Sequence, residues 1–134
     1  MAPITRIEVG LRTSNHAGAG TIGPVYVGVC RREFGINNSD LDFTPGHDFT
    51  YVFGEGANVI DAADNDPRTL LPMVTNDATQ FPRYIRQESS DAWDLEEIGI
   101  TLNPGQPSQV MLNALVGPNQ HLVLGGTTGK VLYL

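Results

Sequence analysis

A two-residue rhythm of apolar and polar side chains, interrupted every few positions by Gly, Pro, Asn and Asp, restricts this chain more than any other feature. Side chains alternate across an extended strand, so such a run gathers one apolar face as a strand and none as a helix. In "ITRIEVGLR" the residues Thr5, Ile7, Val9 and Leu11 share a face, with Arg6, Glu8 and Arg12 opposite. "VYVGVC" groups Val25, Val27 and Val29 against Tyr26, Gly28 and Cys30, and "DFTYVF" groups Phe49, Tyr51 and Phe53. "RYIRQ" is a shorter strand around Tyr84 and Ile85. "EEIGITLN" aligns Ile98, Ile100 and Leu102, and "QVMLNALV" aligns Val110, Leu112, Ala114 and Val116. The tail "HLVLGGTTGKVLYL" reads as two strands around a glycine-bearing turn.

Between these runs lie "FGINNSD", "TPGHD", "GEGAN", "ADNDPR", "NPGQP" and "VGPNQ", whose residues reverse chains by known backbone mechanisms. Strands with one apolar face must bury it, and a second sheet is the usual cover. The expected fold is all-β, an antiparallel β-sandwich of about eight strands, formed as a single domain over residues 1–134. The stretch 58–80 breaks the pattern and predicts one short helical turn or strand around Leu70 to Val74.

Charge narrows the function. The formal net charge is −7, and Lys130 is the one lysine. Nucleic acid, which needs clustered Lys and Arg, is therefore not an expected partner. Between Arg32 and Arg68 there are acids and no Lys or Arg, and after Glu97 there is no acid at all. Oxygen-rich acidic loops serve solubility, and they also suit divalent cations. No segment is apolar enough to span a bilayer, and the first twenty residues lack the apolar stretch of a secretory signal. The expected location is cytoplasmic, or outside the cell by a route without a cleavable leader, with peripheral attachment to membrane as a further option.

Catalytic signatures do not emerge. There is no G-x-S-x-G elbow, no H-E-x-x-H pair and no C-x-x-C. The single cysteine, Cys30, ends a valine-rich strand and reads as a small buried hydrophobe. His16 and His47 could meet Asp48 at a zinc ion if their loops share one end of the sandwich, although loop histidines are more commonly solvated. The glycines of 18–23 do not form a phosphate cradle, because a strand follows them rather than a helix.

The order of these pieces resembles the PLAT (lipoxygenase-homology) domain, and is similar to the C-terminal domain of clostridial α-toxin phospholipase. The residues that carry the likeness are the strand "ITRIEVGLRTSN", "AGT" at 19–21 before "PVYVGVC", "LDFTPGHDFTYVF" at 41–53, and "RYIRQESSDAWDLEEIGITL" at 83–102. The likeness covers residues 4 to about 103, and the tail from 104 onward fits it less well. It implies a loop-end calcium site with carbonyls from Gly20 and Ala92, carboxylates from Asp42 and Asp91, and Asp48 as a further ligand or a loop hydrogen-bonding group. Mixed carboxylate and carbonyl oxygens are suitable calcium ligands. The family often carries acids on either side of Ala-Gly-Thr, where this chain has Gly18 and Ile22, so the calcium expected here is weakly held or absent.

The function so implied is a non-catalytic binding module, with calcium-modulated attachment to membrane lipid or to a protein partner. Ile22 and Trp93 are the candidate contact residues, although a lone tryptophan at a strand start is more often core. The alternative is a calcium-independent protein-interaction or self-assembly sandwich, forming homo-oligomers through its C-terminal strands.

Overall fold

The computed structural model describes residues 2–70, 72–115, 121–125 and 129–134, with 113–115 as backbone. It is nearly all-β, with two antiparallel sheets. In chain order the strands are β1 (Arg6–Thr13), β2 (Val25–Val29), β3 (Arg32–Ile36), β4 (Asp48–Gly54), β5 (Tyr84–Gln87), β6 (Trp93–Leu102), β7 (Val110–Leu115), β8 (Leu122–Leu124) and β9 (Val131–Tyr133). One sheet runs β4-β1-β6-β7, with β8 also on β6, and the other runs β3-β2-β5-β9.

The alternation becomes burial directly. Ile7, Val9 and Leu11 of β1, Val25, Val27 and Val29 of β2, and Tyr51 and Phe53 of β4 all face one core. Val110 and Leu112 of β7 pack on it, whereas Ala114 and Val116 lie outside the residues whose side chains are described. Strand β6 changes phase. Thr13 pairs with Leu95 and Arg12 with Glu97, so Glu96 is an extra residue in a β-bulge. The bulge lets Trp93 and Leu95 face inward on one side of it and Ile98, Ile100 and Leu102 on the other.

Three expectations need correction. "FGINNSD" reads as a turn in sequence, but Phe34 to Ile36 belong to β3. The reversal before it is made by Cys30 and Arg31, both left-handed (φ 53° and 70°), the geometry of a tight primed hairpin that ordinarily selects Asn-Gly. In 58–80 the structure has a 3-10 turn at Ala62–Asn65, a helical turn at Asp77–Gln80, and a lone bridge from Val74 to Pro3. The tail does hold two strands, but β8 and β9 pair in different sheets.

The segment after β4 closes two sheet edges with side chains. Asn58 accepts from the Val52 N–H (2.8 Å) and donates to the Thr50 carbonyl (2.9 Å), taking the place of a neighbouring strand beside β4. On β3, the Gly35 N–H donates to Asn65 Oδ1 (2.7 Å), and the Arg32 guanidinium donates to the carbonyls of Asp64, Asp66 and Thr69. Unpaired edges invite other strands, so this segment acts as a guard.

Trp93 is fully buried, its ring 5.3 Å from that of Phe43, and its Nε1–H donates to Thr13 Oγ1 (2.9 Å). Replacing Thr13 with Val keeps the volume and removes the acceptor. An indole N–H stranded in the core costs about 1–3 kcal/mol, so Thr13→Val is expected to lower the urea-unfolding free energy by that amount without changing the slope.

Candidate functional site

Because β1 is antiparallel to β4 and β6, and β2 to β3 and β5, the loops 14–24, 37–47 and 88–92 all leave the sandwich at one pole. Backbone hydrogen bonds knit them together. The Thr21 N–H donates to the Phe43 carbonyl (3.0 Å), Asp94 N–H to Ala19 (2.8 Å), Thr13 N–H to His47 (3.0 Å) and Glu88 N–H to Pro24 (3.0 Å). Gly20 lies so close to the second loop that a Cβ there would stand 2.5 Å from the Phe43 carbonyl oxygen. Its lack of a side chain is thus a packing requirement.

Gln87 sits beneath this pole, buried, and its amide is fully engaged. Nε2 donates to the carbonyls of Asp91 and Leu124 (2.5 and 2.7 Å), while Oε1 accepts from the Ser89 N–H (3.1 Å) and the Thr21 hydroxyl (3.5 Å). Nothing in the local sequence marks this glutamine, because its partners lie as far as 66 residues away.

The residues implied as calcium ligands fall at this pole but do not form one shell. Gly20 and Asp91 line a shallow depression of about 220 Å³ together with Ile22 and Pro45. Ala92 is exposed beside Asp91. Asp42 turns inward: Oδ2 accepts from the N–H groups of Asn38 (2.6 Å) and Ser39 (3.0 Å), and Oδ1 accepts from the Tyr51 hydroxyl (2.7 Å). Burial and the Asp42 carboxylate together push the Tyr51 phenol well above its usual range. Asp48 is at the start of β4, 3.7 Å from the Arg12 guanidinium. Among the described residues no three His, Cys, Asp or Glu side chains are grouped as a metal site.

The zinc grouping does not form, although the loops do share an end as expected. His16 Nε2 lies 2.7 Å from Asp94, His47 stacks on Phe49 with centroids 5.8 Å apart, and Asp48 faces Arg12. Trp93, named above as a contact residue, has no accessible surface and belongs to the core. Burial explains Cys30 in the same way, its thiol pushed up to about 12 by desolvation and by the Asp77 charge.

Sequence reasoning missed Asp94. Its carboxylate joins His16 (Oδ2, 2.7 Å) to His121 (Oδ1 to Nδ1, 3.2 Å), and Ser14 Oγ is 2.9 Å from that same Nδ1. A nucleophilic relay needs serine and carboxylate on opposite ring nitrogens. Here both approach one nitrogen, so the cluster clasps loops rather than activating Ser14. The hydrogen bond to Asp94 raises the His16 pKa, with the Ala17 carbonyl adding to it. Burial opposes ionisation of Asp94, but hydrogen bonds from His16, His121 and Ser14 outweigh it and hold the carboxyl below its ordinary value.

Two apolar side chains project from the pole. Ile22 is 92% exposed and Leu41 63%, on loops joined by the Thr21–Phe43 hydrogen bond. Beside Ile22 lies an open cavity of about 500 Å³ with Pro24, Asp40, Asp42 and Thr44 in its walls.

Two facing antiparallel sheets with three loops bound together at one pole define a loop-bearing β-sandwich. Among solved structures, alpha toxin from Clostridium absonum has this fold: TM-score 0.62 and 20% identity, covering 96% of this chain and 31% of the toxin chain. The chain thus spans about a third of that toxin, and at this identity the likeness is one of fold. No protein-family model matches the chain, and no curated protein matches it. No helix among the described residues is long and apolar enough to cross a membrane.

Two outcomes are expected at the pole. In an NMR titration His16 should protonate above 6.5, and Asp94→Asn should bring it back towards that value. The sign follows from the raised value: the His16–Asp94 attraction is complete below pH 6.5 and fades as pH rises through the folded-state pKa. Asp42→Ala removes the acceptor of two backbone N–H groups and of the buried Tyr51 hydroxyl and should destabilise the fold by about 2–4 kcal/mol, measured by denaturant melts.

Proposed function

We propose that this chain is a non-catalytic attachment module whose loop pole docks on a lipid membrane. The observation that carries this reading is the pair Ile22 and Leu41, apolar and exposed on two loops of one pole that Gln87, Asp42 and Asp94 anchor. Burying two aliphatic side chains at a bilayer interface contributes about 1.5–3 kcal/mol each. The PLAT-like order of sequence elements and the sandwich fold support the same assignment.

Calcium acts in this reading as a bridge. Asp40 and Asp91 give the pole negative charge, which repels anionic headgroups. Asp91, with carbonyls of Gly20 and Ala92, supplies fewer than the six to eight oxygens that calcium takes. Lipid phosphates would complete the shell, so the ion binds weakly without membrane and more tightly with it. Asp42 is left out because its carboxylate is occupied by Tyr51 and two backbone N–H groups.

Vesicle sedimentation tests the reading. Wild type should pellet with phosphatidylcholine–phosphatidylserine vesicles, and more of it with calcium than with a chelator. Ile22→Asp with Leu41→Asp should lose at least about tenfold in partitioning, as expected for removing some 1.4 kcal/mol or more, while melting as wild type. Asp91→Asn should lose only the calcium-dependent part. Failure of wild type to pellet under any of these conditions would sink the proposal.

A further inference from the structure

The sheet edges are treated unequally. Asn58 covers β4, and Asn65 with Arg32 covers β3. Strand β9 is the opposite edge of the four-stranded sheet, and no described strand lies beyond it. The Leu134 N–H donates to the Arg83 carbonyl (2.8 Å) and the Gln87 N–H to the Lys130 carbonyl (3.1 Å), so the even-numbered residues of the tail face β5. Backbone groups alternate in direction along an antiparallel strand, and those of Val131 and Tyr133 therefore point away from the sheet. Both residues are also exposed through their side chains, 42% and 69%.

We propose that β9 pairs antiparallel with β9 of a second copy of this chain, joining two four-stranded sheets into one of eight strands. The register is self-complementary. A two-fold axis at Leu132 sets Val131 opposite Tyr133 of the second copy and the reverse, giving four backbone hydrogen bonds from groups that already face outward. Charge favours this approach over others. A chain of net charge −7 repels its own copy across most of its surface, but no acid follows Glu97, and Lys130 immediately precedes β9. The acids nearest the edge on the same face, Glu33 and Glu88, are each paired with Arg86 (2.6 and 2.7 Å). Tyr133, 5.9 Å from Tyr84 between ring centroids, extends the apolar outer row across the join. A three-residue ladder buries little area, so the dimer is one that dissociates on dilution.

The test uses the protein in solution without lipid, so that its outcome is independent of membrane attachment. Sedimentation velocity over roughly ten micromolar to one millimolar, where small interfaces associate, should show the mass rising from 14.5 kDa towards twice that value. Val131→Lys with Tyr133→Lys should stay at the monomer mass with an unchanged melting temperature. Mixing a Val131→Cys chain with a Tyr133→Cys chain under mild oxidation should give a disulfide-linked pair more readily than either chain alone. A wild-type mass that stays monomeric throughout the series overturns the proposal, and so does a dimer that survives the two lysines. A cross-link no faster in the mixture than in the separate chains overturns the register.

Discussion

The side-chain amide of Gln87 is the interaction on which the loop pole depends. It starts from β5 in one sheet and reaches the Leu124 carbonyl on β8 in the other, while also holding the Asp91 carbonyl and the Thr21 hydroxyl. A buried amide costs several kcal/mol unless each donor and acceptor is paired, and this one is. Its saturation therefore fixes two of the pole loops, 14–24 and 88–92, relative to β8 at once. The same logic recurs nearby in Asp42, whose carboxylate takes one hydroxyl and two backbone N–H groups, and in Trp93, whose indole meets Thr13. Gln87, Asp42 and Trp93 make the base of the pole a satisfied polar layer over an apolar core, and leave Ile22 and Leu41 with no internal role.

Rigid loops explain how a pole with two exposed aliphatic residues is compatible with a folded state. An isoleucine in a mobile loop could fold back on the core; Ile22 sits next to Thr21, whose backbone is tied to Phe43, and before Pro24, whose carbonyl is tied to Glu88. The side chain is thus kept outward by its neighbours. Charge works in the opposite direction at this pole, since carboxylates discourage anionic surfaces, and a cation can reverse that preference. In the proposed reading, attachment and its ionic control would therefore reside in different atoms of the same loops.

Much of the sandwich was legible because alternation reports burial locally. Ile7, Val9 and Leu11, or Ile98, Ile100 and Leu102, need no knowledge of distant residues to be assigned to one face. Strand β3 was not legible, since Cys30 and Arg31 adopt a hairpin geometry that their side chains do not advertise. Nor was the edge-guarding of Asn58 and Asn65, which consists of side chains bonding backbone some 6 and 30 residues away. For the site, antiparallel connections bring Gly20, Asp42 and Asp91 to one end, and chain order alone tells that much. It could not distinguish a carboxylate aimed outward from one turned onto Tyr51, and it passed over Asp94, whose partners are 78 and 27 residues distant.

The extra residue at Glu96 sets a limit on how sequences of this fold can change. Thr13 opposite Leu95 and Arg12 opposite Glu97 become consecutive pairs once Glu96 is removed, so loss of this one residue restores a regular ladder with β1 and leaves Trp93 and Leu95 facing inward. Straightening the strand with Glu96 retained would instead rotate everything on its N-terminal side by half a turn, turning Trp93 and Leu95 to solvent and Asp94 into the core, and unclasping His16 and His121 together. Bulge and strand length are therefore tied, and chains sharing this architecture without the bulge should be one residue shorter here.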